Sequence, residues 1–290
     1  MHIPVLLNEV IKYLEPKPNE NFIDATLGEA GHSLVILRHN EPEGKVLGIE
    51  TDPILYERVK EKKIPRLLLI NDSYANLKKI VLENNFSPIN GILFDLGMCS
   101  WHVDESGRGF SYLKDEPLDM RFDPNNTVTA AEIINLWPIE DIEEIIREYG
   151  EERYAKRISE AIREARKKER IIGTLQLVDL LKRVLPANYE NHRLHFATRT
   201  FQALRIAVNN ELENLTVGLE EAIKILSPYG RLVVISFHSL EDRIVKNLFL
   251  KYSQQNILKI LTKKPIIPQA DEVRENMRSR SAKLRAALKQ

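Results

Sequence analysis

"FIDATLGEAGHS", residues 22–33, runs an apolar pair into Asp24 and then into a turn spaced Gly28-x-x-Gly31. A strand that ends in a glycine turn usually cradles phosphate, through backbone N–H groups that no acid opposes. This turn carries Asp24 and Glu29, which repel phosphate. Its shape is that of a nucleotide-binding turn, and its charge is not.

Further along the chain, short β-rich runs recur: "KVLGIETD" (45–52), "RLLLIND" (66–72), "GILFDLG" (91–97) and "RLVVISFH" (231–238). Several are almost continuously apolar and end in a polar turn, the pattern of strands buried on both faces of a parallel sheet. Helix-length segments such as "HSLVILRHN" and "PILYERVKEKK" separate the early ones, so the rhythm predicts a doubly wound α/β sheet. From about 128 to 205 the pattern is helical only. Tyr154, Ile158, Ala161, Ile162 and Ala165 form one stripe, and Leu177, Val178, Leu181, Val184 and Leu185 another, the latter behind Thr174 as expected N-cap. The reading is a core of residues 1–112 and 206–290 that carries an inserted helical domain at 113–205.

Ligands of open α/β sheets sit beyond the carboxyl ends of the strands. Asp24, Glu50 and Asp95 occupy three such ends. An acid closing the second strand, as Glu50 does, accepts hydrogen bonds from ribose hydroxyls. A dinucleotide would bring a pyrophosphate to these acids, at a cost on the order of a kcal/mol or more at about 4–6 Å. S-adenosylmethionine has no phosphate and carries an ammonium and a sulfonium, which carboxylates attract. The residues therefore favour a methyl donor over a dinucleotide. Tyr74, after the third strand, is placed to lie near an adenine. Gly97 and His102 follow Asp95 in the loop where an acceptor would enter.

Composition bounds the alternatives. Lys plus Arg equals Asp plus Glu at 42 each, so bulk charge does not select nucleic acid and only a local patch could. The segment 274–290, "RENMRSRSAKLRAALKQ", is such a patch, with six cations against Glu275. It is expected to be either a solvated tail or a strip that contacts phosphates. One cysteine, Cys99, fits a reducing cytosol, and the scattered histidines predict no metal site. No run reaches the ~18–20 apolar residues of a membrane span.

Eight collinear motifs then narrow the field: "HIPVLLNEV", "DATLGEAGHS", "GILFDLGMCSWHVDESGRGFSY", "PLDMRFD", "YGEERYAKRI", "HFATRTFQALRIAVNNEL", "SFHSLEDRIVK" and "NMRSRSAKLR". Together they resemble the bacterial 16S ribosomal RNA cytosine-N4 methyltransferase family of the MraW type. The resemblance implies a class I methyltransferase core with an inserted helical domain, S-adenosylmethionine as cofactor, and a cytidine in the decoding region of the small-subunit RNA as acceptor. It implies cofactor contacts from Ala30, Gly31, His32, Glu50, Tyr74, Asp95 and His102. The chemistry of a cytosine amine adds the expectation that Asp95, or a backbone carbonyl near Leu96–Gly97, accepts an amine hydrogen and positions the acceptor. Ala30 stands where glycine is usual, Glu50 where Asp is, Tyr74 where Phe is, and "MCSWH" replaces a run closer to VSSPQ. Trp101, Phe110 or Tyr112 could stack on the target base. Ser239 is the expected N-cap of the "SFHSLEDR" helix, with Asp242 completing its box and His238 at the rim of the acceptor pocket. The partner implied is 16S ribosomal RNA or the small subunit, in the cytoplasm and without a membrane, and a homodimer is left open. The rival readings are a small-molecule methyltransferase, a non-catalytic RNA-binding assembly protein and, more distantly, a nicotinamide dehydrogenase.

Overall fold

The computed structural model describes residues 4–189 and 194–290, so His2 and Ile3 of the first motif lie outside it. Two compact units form, one from Met1–Gly97 with Leu212–Gln290, the other from Met98–Glu211.

The first unit is built on a seven-stranded sheet: β1 (Phe22–Asp24), β2 (Val46–Glu50), β3 (Leu67–Asn71), β4 (Gly91–Asp95), β5 (Arg231–Ser236), β6 (Leu258–Ile260) and β7 (Lys283–Lys289). Their order is β3-β2-β1-β4-β5-β7-β6. The pairs from β3 through β5 are parallel, while β7 runs antiparallel to both β5 and β6. This is a doubly wound α/β sheet, and its strand order reverses between β1 and β4, the kind of position at which open α/β sheets bind ligands.

The near-continuous apolar strands are explained by what covers them. Ile23, Leu47, Phe94 and Val234 pack with Ile80, Leu219 and Phe249 of α4 (Leu77–Glu83), α11 (Glu211–Ile225) and α12 (Ser239–Gln254). Their chain neighbours Phe22, Val46, Leu93 and Val233 pack with Val10, Leu14 and Ile36 of α1 (Leu7–Leu14) and α2 (Gly31–His39). Period-2 alternation therefore feeds two apolar layers, so neither set of alternate residues is polar.

The second unit is helical, with α5 (Ser100–Asp104), α6 (Ala130–Leu136), α7 (Ile139–Glu148), α8 (Ala155–Arg166), α9 (Thr174–Val184) and α10 (Thr198–Asn209). Ile158 and Ile162 of α8, and Leu177 and Leu181 of α9, are fully buried in its core. Its bounds differ from those read in the sequence. Residues 98–112 join it because Met98, Phe110 and Tyr112 pack into the helical core. Residues 206–211 join it because α10 runs on to Asn209, whose side chain donates to Met120 O at 2.7 Å and accepts from Phe122 N at 2.8 Å. Two caps also shift by one residue. Gly173, not Thr174, is the N-cap of α9, and the Thr174 hydroxyl accepts from Glu116 N at 3.0 Å. His238, not Ser239, caps α12, with Glu241 closing the box.

The largest departure is the basic tail. Residues 283–289 form a strand between β5 and β6, with Leu284, Ala286 and Ala287 buried. Arg285 is buried too, because its guanidinium forks onto Asp242 of α12 at 2.6 and 3.1 Å. A fork on a carboxylate can be held where a lone cation could not. Among the described residues no helix is long and apolar enough to cross a membrane.

A solvated tail would tolerate truncation of Leu284 at no cost. We expect Leu284→Ala to lower the unfolding free energy by about 3 kcal/mol, measured by denaturant titration.

Candidate functional site

Asp24, Glu50 and Asp95 stand at the carboxyl ends of β1, β2 and β4. The chain that leaves β1 keeps bonding to both neighbouring strands: Ala25 N donates to Leu93 O and Leu27 N to Ile49 O, each at 2.9 Å. The glycine turn is thereby fixed between β2 and β4.

Ala30 N-caps α2 with φ of 69°, a left-handed conformation that costs a residue with a Cβ about 1–2 kcal/mol. Gly31, the next residue, has no room for a side chain, since an added Cβ would lie 2.7 Å from Pro4 Cγ. His32 follows, buried in the first turn of α2. Its Nε2 lies 3.4 Å from Asp95 Oδ2, outside hydrogen-bonding geometry. Both His32 ring nitrogens and Asp95 Oδ1 are buried with no hydrogen-bond partner among the described residues. Buried polar atoms rarely stay unpaired, so this trio is open to a ligand.

The carboxylates differ in what they are free to do. Asp24 is sealed behind the turn, accepting from Ser33 Oγ at 2.7 Å and Thr26 N at 3.3 Å. Burial pushes its carboxyl above the ordinary range, against the Ser33 bond and the His32 charge. Glu50 accepts from Gly28 N and Asp52 N, each at 2.9 Å and one on each oxygen. A carboxylate has about four acceptor sites, so each oxygen retains one for a hydroxyl. Asp95 is held through its main chain, whose N–H donates to Thr26 Oγ1 at 2.6 Å. Thr26 and Ser33, which hold Asp95 and Asp24, are supporting positions that the sequence reading missed. Both lie within the glycine-turn stretch, but only the folded turn shows which carboxylate each one serves.

Tyr74 begins a short 3-10 turn after β3, capped by the Ser73 side chain. Its ring meets Phe94 edge-on, with centroids 5.5 Å apart. It is half-buried at the same end of the sheet as Glu50. Gly97, with φ of 89°, turns the chain after β4 through a conformation that side chains rarely adopt.

His102 belongs to the helical unit. It is buried among Trp101, Phe110 and Phe122, with ring centroids 4.9–5.4 Å away, and Cys99 Sγ lies 3.2 Å from its Nδ1. Trp101 and Phe110 are themselves buried, which makes them packing residues. Tyr112 is half-buried and stacks on His195 at 4.4 Å. In "PLDMRFD", Arg121 forks onto Asp119 at 2.7 and 2.8 Å and also donates to Asn126 O. Burial raises the Asp119 carboxyl, but Arg121 outweighs it and the net value falls below the ordinary range. His238 uses Nδ1 to cap α12, and Glu241 accepts from Phe237 N at 2.8 Å and His238 N at 3.2 Å. That arrangement makes His238 a strut of the β5–α12 turn.

A family model described as the MraW methylase family matches residues 1–290. Among curated proteins, the chain is 46% identical over 289 residues to "Ribosomal RNA small subunit methyltransferase H" of Sulfurihydrogenibium azorense, covering 99% of this chain and 98% of that one. It is 44% identical to the proteins of that name from Persephonella marina and Geobacter sulfurreducens, again over 99% of this chain and 98% of each of those.

Burial, opposed by the two N–H donors and reinforced by the Asp52 and Asp24 charges, raises Glu50 from 4.5 to about 7. The folded protein thus holds a proton that the unfolded chain releases. This carboxyl's stabilisation is complete below about pH 4.5 and is lost as pH rises to about 7. We expect Glu50→Gln to remove that slope from a plot of unfolding free energy against pH. An unchanged slope would assign it to another group.

Proposed function

The chain belongs to the MraW methylase family, and on that premise we propose that it transfers a methyl group from S-adenosylmethionine to N4 of a cytidine in the decoding region of 16S ribosomal RNA. The observation that carries the reading is the set of acceptors at the sheet's switch point: Glu50 with spare lone pairs, and Asp95 Oδ1 and His32 buried without hydrogen-bond partners. These fit S-adenosylmethionine. Glu50 would take the ribose hydroxyls, Tyr74 would flank the adenine, and Ala30, Gly31 and His32 would line the turn. When bound, the cofactor supplies an electrophilic methyl on a positively charged sulfur, which the acidic edge favours over any phosphate.

The exocyclic amine of cytosine is a weak nucleophile because its lone pair is delocalised into the ring. Asp95 Oδ1, or a carbonyl at Leu96–Gly97, accepts an amine hydrogen and so concentrates the pair on nitrogen. Thr26 fixes the main chain of Asp95, and this limits the motion of the acceptor group. Such alignment is the main demand of an in-line displacement. The methylated amine is cationic and readily sheds its proton, so no strong base is required. A paired cytosine hides its amine, so the target is single-stranded or flipped. Recognition of the surrounding RNA is assigned to the helical unit, with Tyr112 as its half-buried aromatic.

The direct test supplies a labelled methyl donor to small-subunit particles and to naked DNA, then maps the product by mass spectrometry. Label on N4 of a decoding-region cytidine is expected, and label on DNA alone would overturn the acceptor. For Asp95→Ala we expect kcat to fall by about 100-fold or more with the thermal midpoint retained. An undiminished rate would remove Asp95 from the mechanism.

A further inference from the structure

His32 has two ring nitrogens, and neither has a hydrogen-bond partner among the described residues although the residue is only 5% exposed. One such nitrogen is enough for a cofactor contact. The other needs its own account, because a buried polar atom left unpaired costs about 1–3 kcal/mol. The surroundings narrow that account to one group. Asp24, the neighbouring buried acid, is already taken up by Ser33 Oγ at 2.7 Å and Thr26 N at 3.3 Å. Asp95 Oδ2, at 3.4 Å from His32 Nε2, is the carboxylate oxygen that the described residues set within ion-pair distance of the ring.

The two partners are held very differently. The ring is carried by the first turn of α2, which is pinned on both sides. The Ser33 bond ties that turn to Asp24 of β1, and Pro4 closes over Gly31, leaving no room for a Cβ. The Asp95 main chain is equally fixed, since it closes β4 level with Ile235 of β5 and its N–H donates to Thr26 Oγ1 at 2.6 Å. Its carboxylate is not fixed. Oδ1 has no partner among the described residues, and the terminal torsion of an aspartate is broad, so the backbone alone leaves the two oxygens free to rotate. His32 is the polar side chain placed to stop that rotation.

Resting on the methyltransferase reading above, we propose that His32 is the positioning residue of Asp95: its Nε2–H donates to Oδ2 in the reacting complex and so turns Oδ1 toward the acceptor amine. The gap to close is about 0.5 Å, from 3.4 Å to the ~2.9 Å of an ordinary N–H···O bond. Catalytic hydrogen bonds are commonly long before substrate binds and tighten when it does. A donor on Oδ2 divides the carboxylate's work, with one oxygen held by the protein and the other presented to the substrate. Nδ1 is left for the ligand of the glycine turn. Because alignment is the main demand of the displacement, loss of this bond is felt in kcat more than in cofactor binding.

The test is a double-mutant cycle. Wild type, His32→Leu, Asp95→Ala and the double variant are compared for kcat and KM with small-subunit particles at saturating cofactor, and for the Kd of S-adenosylhomocysteine by calorimetry. We expect His32→Leu to lower kcat by about 10- to 100-fold with KM retained, and to raise Kd by a smaller factor. In the Asp95→Ala background it should cost nothing further, because its route to the reaction is gone. Two polar variants guard against a leucine that fails to fold. A glutamine amide reaches the place of Nε2 and an asparagine amide only that of Nδ1, so His32→Gln should recover most of kcat and His32→Asn should not. Independently of turnover, the nitrogen-15 spectrum of the S-adenosylhomocysteine complex should show a proton on His32 Nε2, and that resonance should move in Asp95→Ala. An additive cycle, a Kd loss as large as the kcat loss, or a proton on Nδ1 alone overturns the positioning role. If wild type transfers no methyl to any ribosomal substrate, the methyltransferase reading fails, while the His32–Asp95 bond stands or falls by the spectrum.

Discussion

The site depends on the burial of carboxylates at the ends of parallel strands. Water would stabilise Asp24 and Glu50 as anions, but the fold withdraws it and offers backbone N–H groups and the Ser33 hydroxyl in exchange. For both acids the exchange is incomplete, so both are pushed up toward protonation. Such a pocket gains most from a ligand that brings hydroxyl donors and positive charge. A phosphate would add to the charge already being suppressed. On the proposed reading, selectivity for a sulfonium nucleoside follows from desolvation, together with Asp95 Oδ1 and the His32 ring, which have no hydrogen-bond partner among the described residues.

What the sequence made legible is what local pattern dictates. Five of the seven strands announce themselves as short apolar runs, and for β1, β2, β4 and β5 the reason is burial on both faces. The stripes of α8 and α9 announce the helical unit because a 3.6-residue repeat cannot serve a sheet. The placement of Glu50 and Asp95 at the ends of β2 and β4 was readable, because each closes an apolar run. Thr26 was not, since its role exists only once β1 and β4 are side by side. His102 is placed by its motif in a family contact set, but locally the sequence has packed it among three aromatic rings of the helical unit.

The caps and the tail were misread for one shared reason. Propensity favours Thr174 and Ser239 as caps, but long-range partners decide. Thr174 is claimed by the backbone at Lys114 and Glu116, and Glu241 reaches back to Phe237 and His238. In the tail, "KLRAALK" carries three cations in seven residues and looks solvated. Asp242, 43 residues earlier, turns Arg285 into an interior residue. Charge counted along the chain says nothing about charge that a distant partner cancels.

The same cancellation runs along the tail. Arg285 and Lys283 both lie on Asp242, Arg274 lies on Asp271, and the turn around Ser279 is anchored on Asn276. An antiparallel final strand is what brings this turn to the reactive edge, for a parallel strand would have started at the opposite end of the sheet. The single reversed strand thus sets the last residues of the chain beside the first described ones, with Pro4 against Gly31 and Glu272 on Leu6. Pro4 thereby braces the glycine turn, and Glu272 braces the segment that carries Pro4.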